Sequence, residues 1–501
     1  MSRCKDAPIG FECPYRHNCP HLEGMSTTWM LDVHQEAIDL RNQLHAMEQK
    51  YEQRIAELQK TLLERDEKIA QLQLDHRKKF KARVKPRPVA GHRPRRGAPV
   101  GHPGWRRREP DHIDQVVRVS APTTCPHCQH GSLEPCAQLH EHVQEDIVLM
   151  PRTRVTKFVH QQCWCPHCRR EVHQAAPGEL PGCDIGPVTR AVAAHLRYDL
   201  QIPYRKVRHL LSDLFGMPMV HATAMNFDRK ATVLGKPLYE QLQVMLKSAA
   251  VVYADETGWR EDGAAHYIWF GGNQDVAVYQ ISDDRSSDSA VQLLGKEFDG
   301  ALVTDDYAAY NAVEAKYQQS CWNHLRTRAQ EIRQQIDLAS SAARSPRSIA
   351  FCRRLERFAL RVCELGRKLR TRKLSRAKAR AMIPVLQRQL RRIGNQKLEY
   401  KAAETLRLRV MEKDWDKLFT FLRIRGVEPT NNHAERSLRF LVIMRKICFG
   451  TRSPEGSQSH GVLASLLQTA KLHGTNAMQF MVKLLTEPTE AARAALFASG
   501  P

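Results

Sequence analysis

Apolar residues between Trp29 and Asp75 recur with a seven-residue period. Leu44, Tyr51, Leu58 and Leu72 share one frame, and Ile55, Leu62 and Ile69 share the frame three residues before it. The stretch holds no Pro or Gly, so the pattern predicts a helix over 29–76 with an a/d seam, interrupted by Arg41, Glu48 and Arg65. Such a seam pairs two chains as a coiled coil. The plainer alternative is an amphipathic helix packed on its own protein.

The periodicity then changes several times. Residues 77–112 alternate basic residues with Pro and Gly, RKKFKARVKPRPVAGHRPRRGAPVGHPGWRRR, with no acid before Glu109. No core can form from that composition, so it reads as an extended basic linker. Residues 113–183 carry two strand-like runs, HVQEDIVLM and RVTKFVHQQ. Residues 184–247 return to helical spacing: Pro203 opens YRKVRHLLSDLF, Gly216-Met217-Pro218 breaks it, and a second helix follows. Between 248 and 324 the runs VVYADETGWR, AHYIWFGG and DVAVYQIS predict three strands. SDSAVQLLGKEF then predicts a helix, ALVTDDY a strand, AYNAVEAKY a helix and QQSCW a last strand. That order is the order of a ribonuclease-H-like fold. Residues 325–428 are helical and dense in Arg, Lys and Leu, an insertion that interrupts the core, which resumes over 429–495. The fold class is therefore multidomain α+β.

Charge narrows what such a chain does. Lys and Arg number 77 against 54 Asp and Glu, a net charge of +23. Clustered in this way, the excess points to a polyanion, and nucleic acid is the commonest. Arg95, Arg96, Arg106, Arg107 and Arg108 of the linker are candidate phosphate contacts, as are Arg205 and Lys206 on the first helix of a helix-turn-helix-like pair. No apolar run approaches the ~20 residues that span a bilayer. The first residues lack the apolar core of a signal peptide, so the 14 Cys are expected to be metal ligands and free thiols in a cytoplasmic protein.

Three sets of residues carry candidate chemistry. Cys125-Pro-His-Cys128 and Cys165-Pro-His-Cys168 are matched knuckles whose four thiolates suit a closed tetrahedral Zn²⁺ site. Cys4, Cys13, His17, Cys19 and His21, within 1–28, are zinc-competent types at a spacing that fits no standard rule. The third set is acidic. The first core strand is expected to end in Asp255-Glu256 and the fourth in Asp305-Asp306, and pleat alternation lets one of each pair face a site, taken as Asp255 and Asp305. Glu435 opens a helix in TNNHAERSLR. Its place three residues after Asn432 also fits an N-terminal cap. Arg436, Arg439, Arg445 and Lys446 follow on the same helix and suit phosphate near metals. Three such acids form a cradle for two Mg²⁺ or Mn²⁺ ions, the arrangement that clamps a phosphodiester. Cys321 and His324, in CWNH, read as packing or network residues more than as half of a metal site.

At these residues the chain resembles the transposases of the insertion-sequence-66 family. The matching stretches are GAPVGHPG, the two CPHC knuckles, LQIPYRKV, ADETGWR, DDRSSDSA, TDDYAAYN, CWNHLR, VEPTNNHAERSLR and RKICFGTRS, in the family's order over roughly 96 to 490. The resemblance implies a DDE-type transposase, with Asp255, Asp305 and Glu435 as its metal-binding acids. It would bind element ends and target DNA, cut and join strands, act as a dimer or higher oligomer through the helix, and work near a prokaryotic nucleoid, with accessory proteins of the same element as possible partners. The rival readings are a non-catalytic zinc-containing DNA-binding regulator or decayed transposase, and a nuclease that cuts without joining. All share the basic linker; metal binding at the acids and strand joining separate them.

Overall fold

The computed structural model describes residues 27–80, 182–305, 307–339 and 345–498, with short pieces between 112 and 180. The chain divides into two compact units, one of residues 1–81, 325–361 and 384–415, the other of 82–324, 362–383 and 416–501. The N-terminal Cys/His run, the linker arginines Arg95, Arg96, Arg106, Arg107 and Arg108, and Cys125, Cys128 and Cys168 lie outside the described residues.

In the first unit, α1 (Thr27–Phe80) is a single helix of 54 residues. It runs four residues into the segment expected to be linker, because Arg, Lys and Phe extend a helix readily until Pro appears at 86. Its seam faces solvent along most of its length: Leu44, Tyr51, Ile55, Leu58, Leu62, Ile69 and Leu72 are all at least half exposed. Only near its end does it pack, where buried Ala70 meets Ala339. Helices α6 (Trp322–Leu338), α7 (Pro346–Arg370), α8 (Arg376–Ile393) and α9 (Lys401–Leu408) supply the helical stretch expected between the two parts of the core, of which 325–361 and 384–415 belong to this unit and 362–383 to the other.

The second unit begins with a short antiparallel hairpin, β1 (Cys163–Cys165) and β2 (Arg170–Val172). Helices α2 (Pro187–Ala194), α3 (Tyr204–Phe215) and α4 (His221–Lys247) follow. Pro203 precedes α3 and Gly216 ends it in the left-handed region, as the spacing predicts. Leu196, Val207, Leu211 and Phe227 form the buried cluster between these helices.

The centre of the unit is a five-stranded sheet. Its strands are β3 (Val251–Glu261), β4 (Ala264–Gly272), β5 (Ala277–Ser282), β6 (Glu297–Thr304) and β7 (Glu314–Ser320), with α5 (Ser287–Leu294) between β5 and β6. The order across the sheet is β5-β4-β3-β6-β7. The first three strands are antiparallel, while β6 and β7 run parallel to β3. Asp262 and Gly263 both take positive φ, 46° and 85°, which is what a two-residue hairpin between β3 and β4 demands.

Later helices close over the sheet: α10 (Thr420–Arg423), α11 (Asn432–Cys448), α12 (Pro454–Leu472), α13 (Ala477–Thr486) and α14 (Thr489–Leu496). Helix α12 is apolar nearly all round and mostly buried. Its Ser465 and Thr469 hydroxyls accept the N–H groups of Tyr279 and Ala277, so the outer edge of β5 is satisfied by a helix and not left open. Among the described residues no helix is long and apolar enough to cross a membrane.

Two expectations are corrected. AYNAVEAKY is not a helix: it divides into a 3-10 turn, Ala308–Ala312, and β7, which ends at Ser320. Val313, Ala315 and Tyr317 fit a period of two while Tyr310, Val313 and Tyr317 fit a helical one, and pairing with β6 selects the strand. Nor does the first core strand end at Asp255-Glu256. β3 continues to Glu261 because β4 pairs with it from Tyr253 onward, whereas its parallel pairing with β6 covers only Val251–Tyr253.

Candidate active site

The acids gather where that parallel pairing stops. Val252, Tyr253 and Ala254 are buried in the sheet, and Asp255 is the second residue of β3 beyond its last partner on β6. Asp305 follows the last residue of β6 and accepts the Tyr307 N–H at 2.9 Å, which turns the chain away from the sheet. Asp255 accepts the N–H of Glu256 at 2.9 Å.

Carboxylate oxygens of Asp255, Glu256 and Asp305 all lie within 4.8 Å of one another. Glu256 was expected to point elsewhere on the alternation of the pleat. It reaches the group because Asp305 stands beyond the end of its strand, where no ladder constrains it. Glu256 is 8% exposed and is held by Tyr310, whose hydroxyl donates at 2.7 Å, and by Arg285 through Nε at 3.0 Å and Nη2. Arg285 in turn lies 3.7 Å over the Tyr307 ring.

Crowding perturbs these groups in a definite direction. Burial first, then the charges of Asp305 and Glu256, push Asp255 from 3.8 up to about 8, and Glu435 adds to the rise. Glu256 is also raised, chiefly by burial, with Tyr310 and Arg285 opposing. Such a cluster must take up either protons or cations to neutralise itself. Hard oxygen donors from two strands, with one partly exposed arginine as the neighbouring cation, fit a divalent ion such as Mg²⁺ or Mn²⁺.

Glu435 arrives on α11. The helix start is fixed by Asn431, fully buried, whose side-chain amide donates to the Ala254 carbonyl at 2.7 Å, next to Asp255 in the chain. The Asn431 N–H donates to the Cys321 sulfur at 3.2 Å. The Asn431 side chain makes no cap hydrogen bond, being turned to Ala254. Glu435 faces His324, with Oε1 3.8 Å from Nε2, and Cys321, His324 and Glu435 offer ligand atoms within 4.8 Å of one another. Cys321 and His324 thus take part in a polar network with Asn431 and Glu435, in keeping with the packing or network role expected of them. Sequence separation hid the third member, which lies more than 100 residues away. His324 is raised from 6.5 to about 9, first by the neighbouring Cys321 sulfur and, against the effect of burial, by the charges of Glu435 and Asp305.

The basic residues of α11 divide into two kinds. Arg436, Arg439 and Lys446 are exposed. Arg445 is half-buried and donates to the Gly258 carbonyl, so its guanidinium grips β3 and does not stand in solvent for a phosphate. Arg205 and Lys206 are exposed on α3. Sequence reasoning missed Arg285 and Tyr310. Arg285 carried a weak signal, one cation among Asp283, Asp284 and Asp288 ahead of a helix; Tyr310 carried none.

A family model described as Transposase IS66 family matches residues 182–459, which include Asp255, Glu256, Asp305, Cys321, His324 and Glu435. This chain belongs to that family. Its IS66 segment begins after the two CPHC motifs, the basic stretch and α1, so those parts fall outside the match. Three similar proteins come from Sinorhizobium fredii (strain NBRC 101917 / NGR234), and all are named only as uncharacterised. Protein y4jD is 24% identical over 386 residues, 72% of this chain and 73% of its own. Protein y4hP is 22% identical over 414 residues, 75% and 72% of the two chains. Protein y4qI is 26% identical over 228 residues, 43% and 41%. The matches to y4jD and y4hP are longer than the IS66 segment, and none of the three names adds an activity.

Proposed function

We propose that this chain is a DDE-type DNA transposase in which Asp255, Asp305 and Glu435 hold Mg²⁺ or Mn²⁺ for strand cleavage and strand transfer. One observation carries the reading: acids from β3 and β6 converge within 4.8 Å, beside the helix that bears Glu435, and Asp255 is driven to about 8 for want of a counter-charge. The sheet order, three antiparallel strands followed by two parallel ones, supports a ribonuclease-H-like core.

Bound cations would supply Lewis-acid charge to the phosphodiester oxygens and a more acidic nucleophile. The chain's own residues do the positioning. Asn431 ties the Glu435 helix to the strand of Asp255. Arg285 and Tyr310 hold Glu256 so that its charge stays beside the aspartates without swinging into the cleft. Protonated His324 faces the Glu435 carboxylate and limits its rotation. Arg436, Arg439 and Lys446 present an exposed cationic face for phosphates. No nucleophilic side chain is required, because water and then a DNA 3′-hydroxyl attack in line.

The remaining parts have supporting roles in the same reading. Cys125, Cys128, Cys165 and Cys168 hold structural Zn²⁺, Arg205 and Lys206 of α3 and the linker arginines contact DNA, and α1 pairs two subunits through its exposed seam. Purified protein supplied with Mn²⁺ and DNA carrying its own element's ends is expected to nick and join them. Full activity after Asp255→Ala contradicts the assignment. Calorimetric Mn²⁺ titration of wild type and Glu435→Gln tests the metal separately, and equal binding removes Glu435 from the set.

A further inference from the structure

A cavity between α3, α4 and the start of α12 has no part in the chemistry above. It encloses about 530 Å³, a size that suits a ligand of nucleotide dimensions. Its inner wall carries Arg197, which is 4% exposed, lies 4.4 Å over the Tyr204 ring and donates through Nη1 to the Cys448 sulfur at 2.9 Å. The Nε of Arg197 has no hydrogen-bond partner. Beside it His460, 2% exposed, is stacked on Trp259 at 5.0 Å and leaves Nε2 unpartnered. Two nearly inaccessible side chains thus line one cavity with unused polar atoms, an expensive arrangement unless something enters to pair with them.

The rim adds charge and an aromatic face. Arg205, Arg229 and Arg452 are exposed around the opening. Phe449 stands there 73% exposed, with φ 63°, at the end of α11. A bulky side chain in the left-handed region, its ring left in water, is costly on both counts and marks a position held for contact. The first turn of α12 also lines the cavity, with Ser453 capping it and Gly456 within it.

Helix α11 connects this cavity to the acids. Glu435 lies in its first turn and Cys448 in its last, a span of about 20 Å at ~1.5 Å per residue. Exposed Arg436, Arg439 and Lys446 lie between them on spacings of three and seven, one face of the helix. That span matches on the order of six stacked nucleotides at about 3.4 Å each.

We propose that the cavity takes one unstacked nucleotide of a DNA strand that runs along α11 from the acids, its base between Phe449 and Tyr204 and its phosphate against the rim arginines. The inference rests on the DNA reading above and specifies where that strand goes. An aromatic and a guanidinium plane accept any base face, while Arg197 and His460 pair with its edge.

The test uses full-length protein in EDTA, so that no cleavage occurs, with an oligothymidylate of about twenty nucleotides carrying 5-iodouracil, followed by ultraviolet crosslinking and peptide mapping. Crosslinks are expected on the peptides of Tyr204 or Phe449. Their yield should fall about tenfold in Phe449→Ala and in Arg229→Ala, both exposed positions whose loss leaves the thermal midpoint in place. If the oligonucleotide binds but crosslinks only elsewhere, the cavity is not a strand site and the DNA reading survives. If dTMP alone protects the cavity while neither variant alters oligonucleotide crosslinking, it is a free-nucleotide site and the proposal is overturned. If no oligonucleotide binds, the DNA reading falls and this inference with it.

Discussion

Replacing Asp255 by asparagine should make the metal-free protein more stable at pH 8, although it removes a residue assigned to the reaction. The carboxyl group has a proton affinity set by burial and by Asp305, Glu256 and Glu435, which carry it from 3.8 to about 8. A folded-state value above the unfolded one means that the protonated form is favoured on folding. Its contribution is complete below about pH 4, declines as pH rises, and is lost once pH passes about 8. At about 1.36 kcal/mol for each tenfold change in proton affinity, the ceiling is roughly 6 kcal/mol. Asp255 is only half-buried, so solvent screens part of the penalty and about 1–3 kcal/mol is the expected size. Asparagine carries no charge and avoids the whole penalty. Thermal unfolding in EDTA from pH 5 to 9 should therefore show wild type losing stability over this range while Asp255→Asn changes less. At pH 8 the variant should melt a few degrees higher, on the order of 2–4 °C per kcal/mol. Adding Mn²⁺ should reverse the order, because the cation replaces the missing counter-charge in wild type alone. A variant no more stable than wild type at pH 8 in EDTA would refute the buried-charge argument.

Other expectations follow from the same structure. Arg285→Ala leaves the buried Glu256 carboxylate facing Tyr310 without its cation; Arg285 is 41% exposed, so solvent screens part of the loss and about 1–2 kcal/mol is expected in a urea titration. Glu256→Gln should cost less than Arg285→Ala, since the amide keeps a partner for Tyr310 and buries no charge. Gly450→Ala should destabilise by about 2–4 kcal/mol, because φ there is 114° and an added Cβ would stand 2.0 Å from the Arg260 carbonyl oxygen, backbone that cannot move aside. An unfolding midpoint within error of wild type would show that the loop after α11 is free to reshape. Leu58→Glu, half exposed on the α1 seam, should leave the fold intact and convert a dimer to monomer in sedimentation velocity. An unchanged sedimentation coefficient would remove α1 as the pairing element.

Local patterns were legible where one short-range rule decides the outcome. The helical periodicity of α1 and the Pro203 start and Gly216 stop of α3 each follow from backbone preference or periodicity within a few residues. They failed where two periods fit equally well. Val313 and Tyr317 share a strand face with Ala315 and a helix face with Tyr310, and only the partner β6 selects one. The reach of β3 beyond Asp255 was hidden for a related reason: strand length depends on how far its neighbours extend, which no single segment records.

From residue types alone came a basic, multidomain α+β chain, acids at Asp255, Asp305 and Glu435 as the candidate centre, and a helix with an apolar seam. Those follow from charge, spacing and periodicity, which are properties of the linear chain. Only the tertiary structure brought Glu256 into the aspartate pair, joined Cys321 and His324 to Glu435, turned Arg445 onto β3, and hollowed a cavity lined by Arg197 and His460. Each of these depends on where strands stop and helices cross. Proximity between residues tens to hundreds of positions apart is set by packing, and side-chain pairing energies act only once packing has brought the groups within a few ångströms.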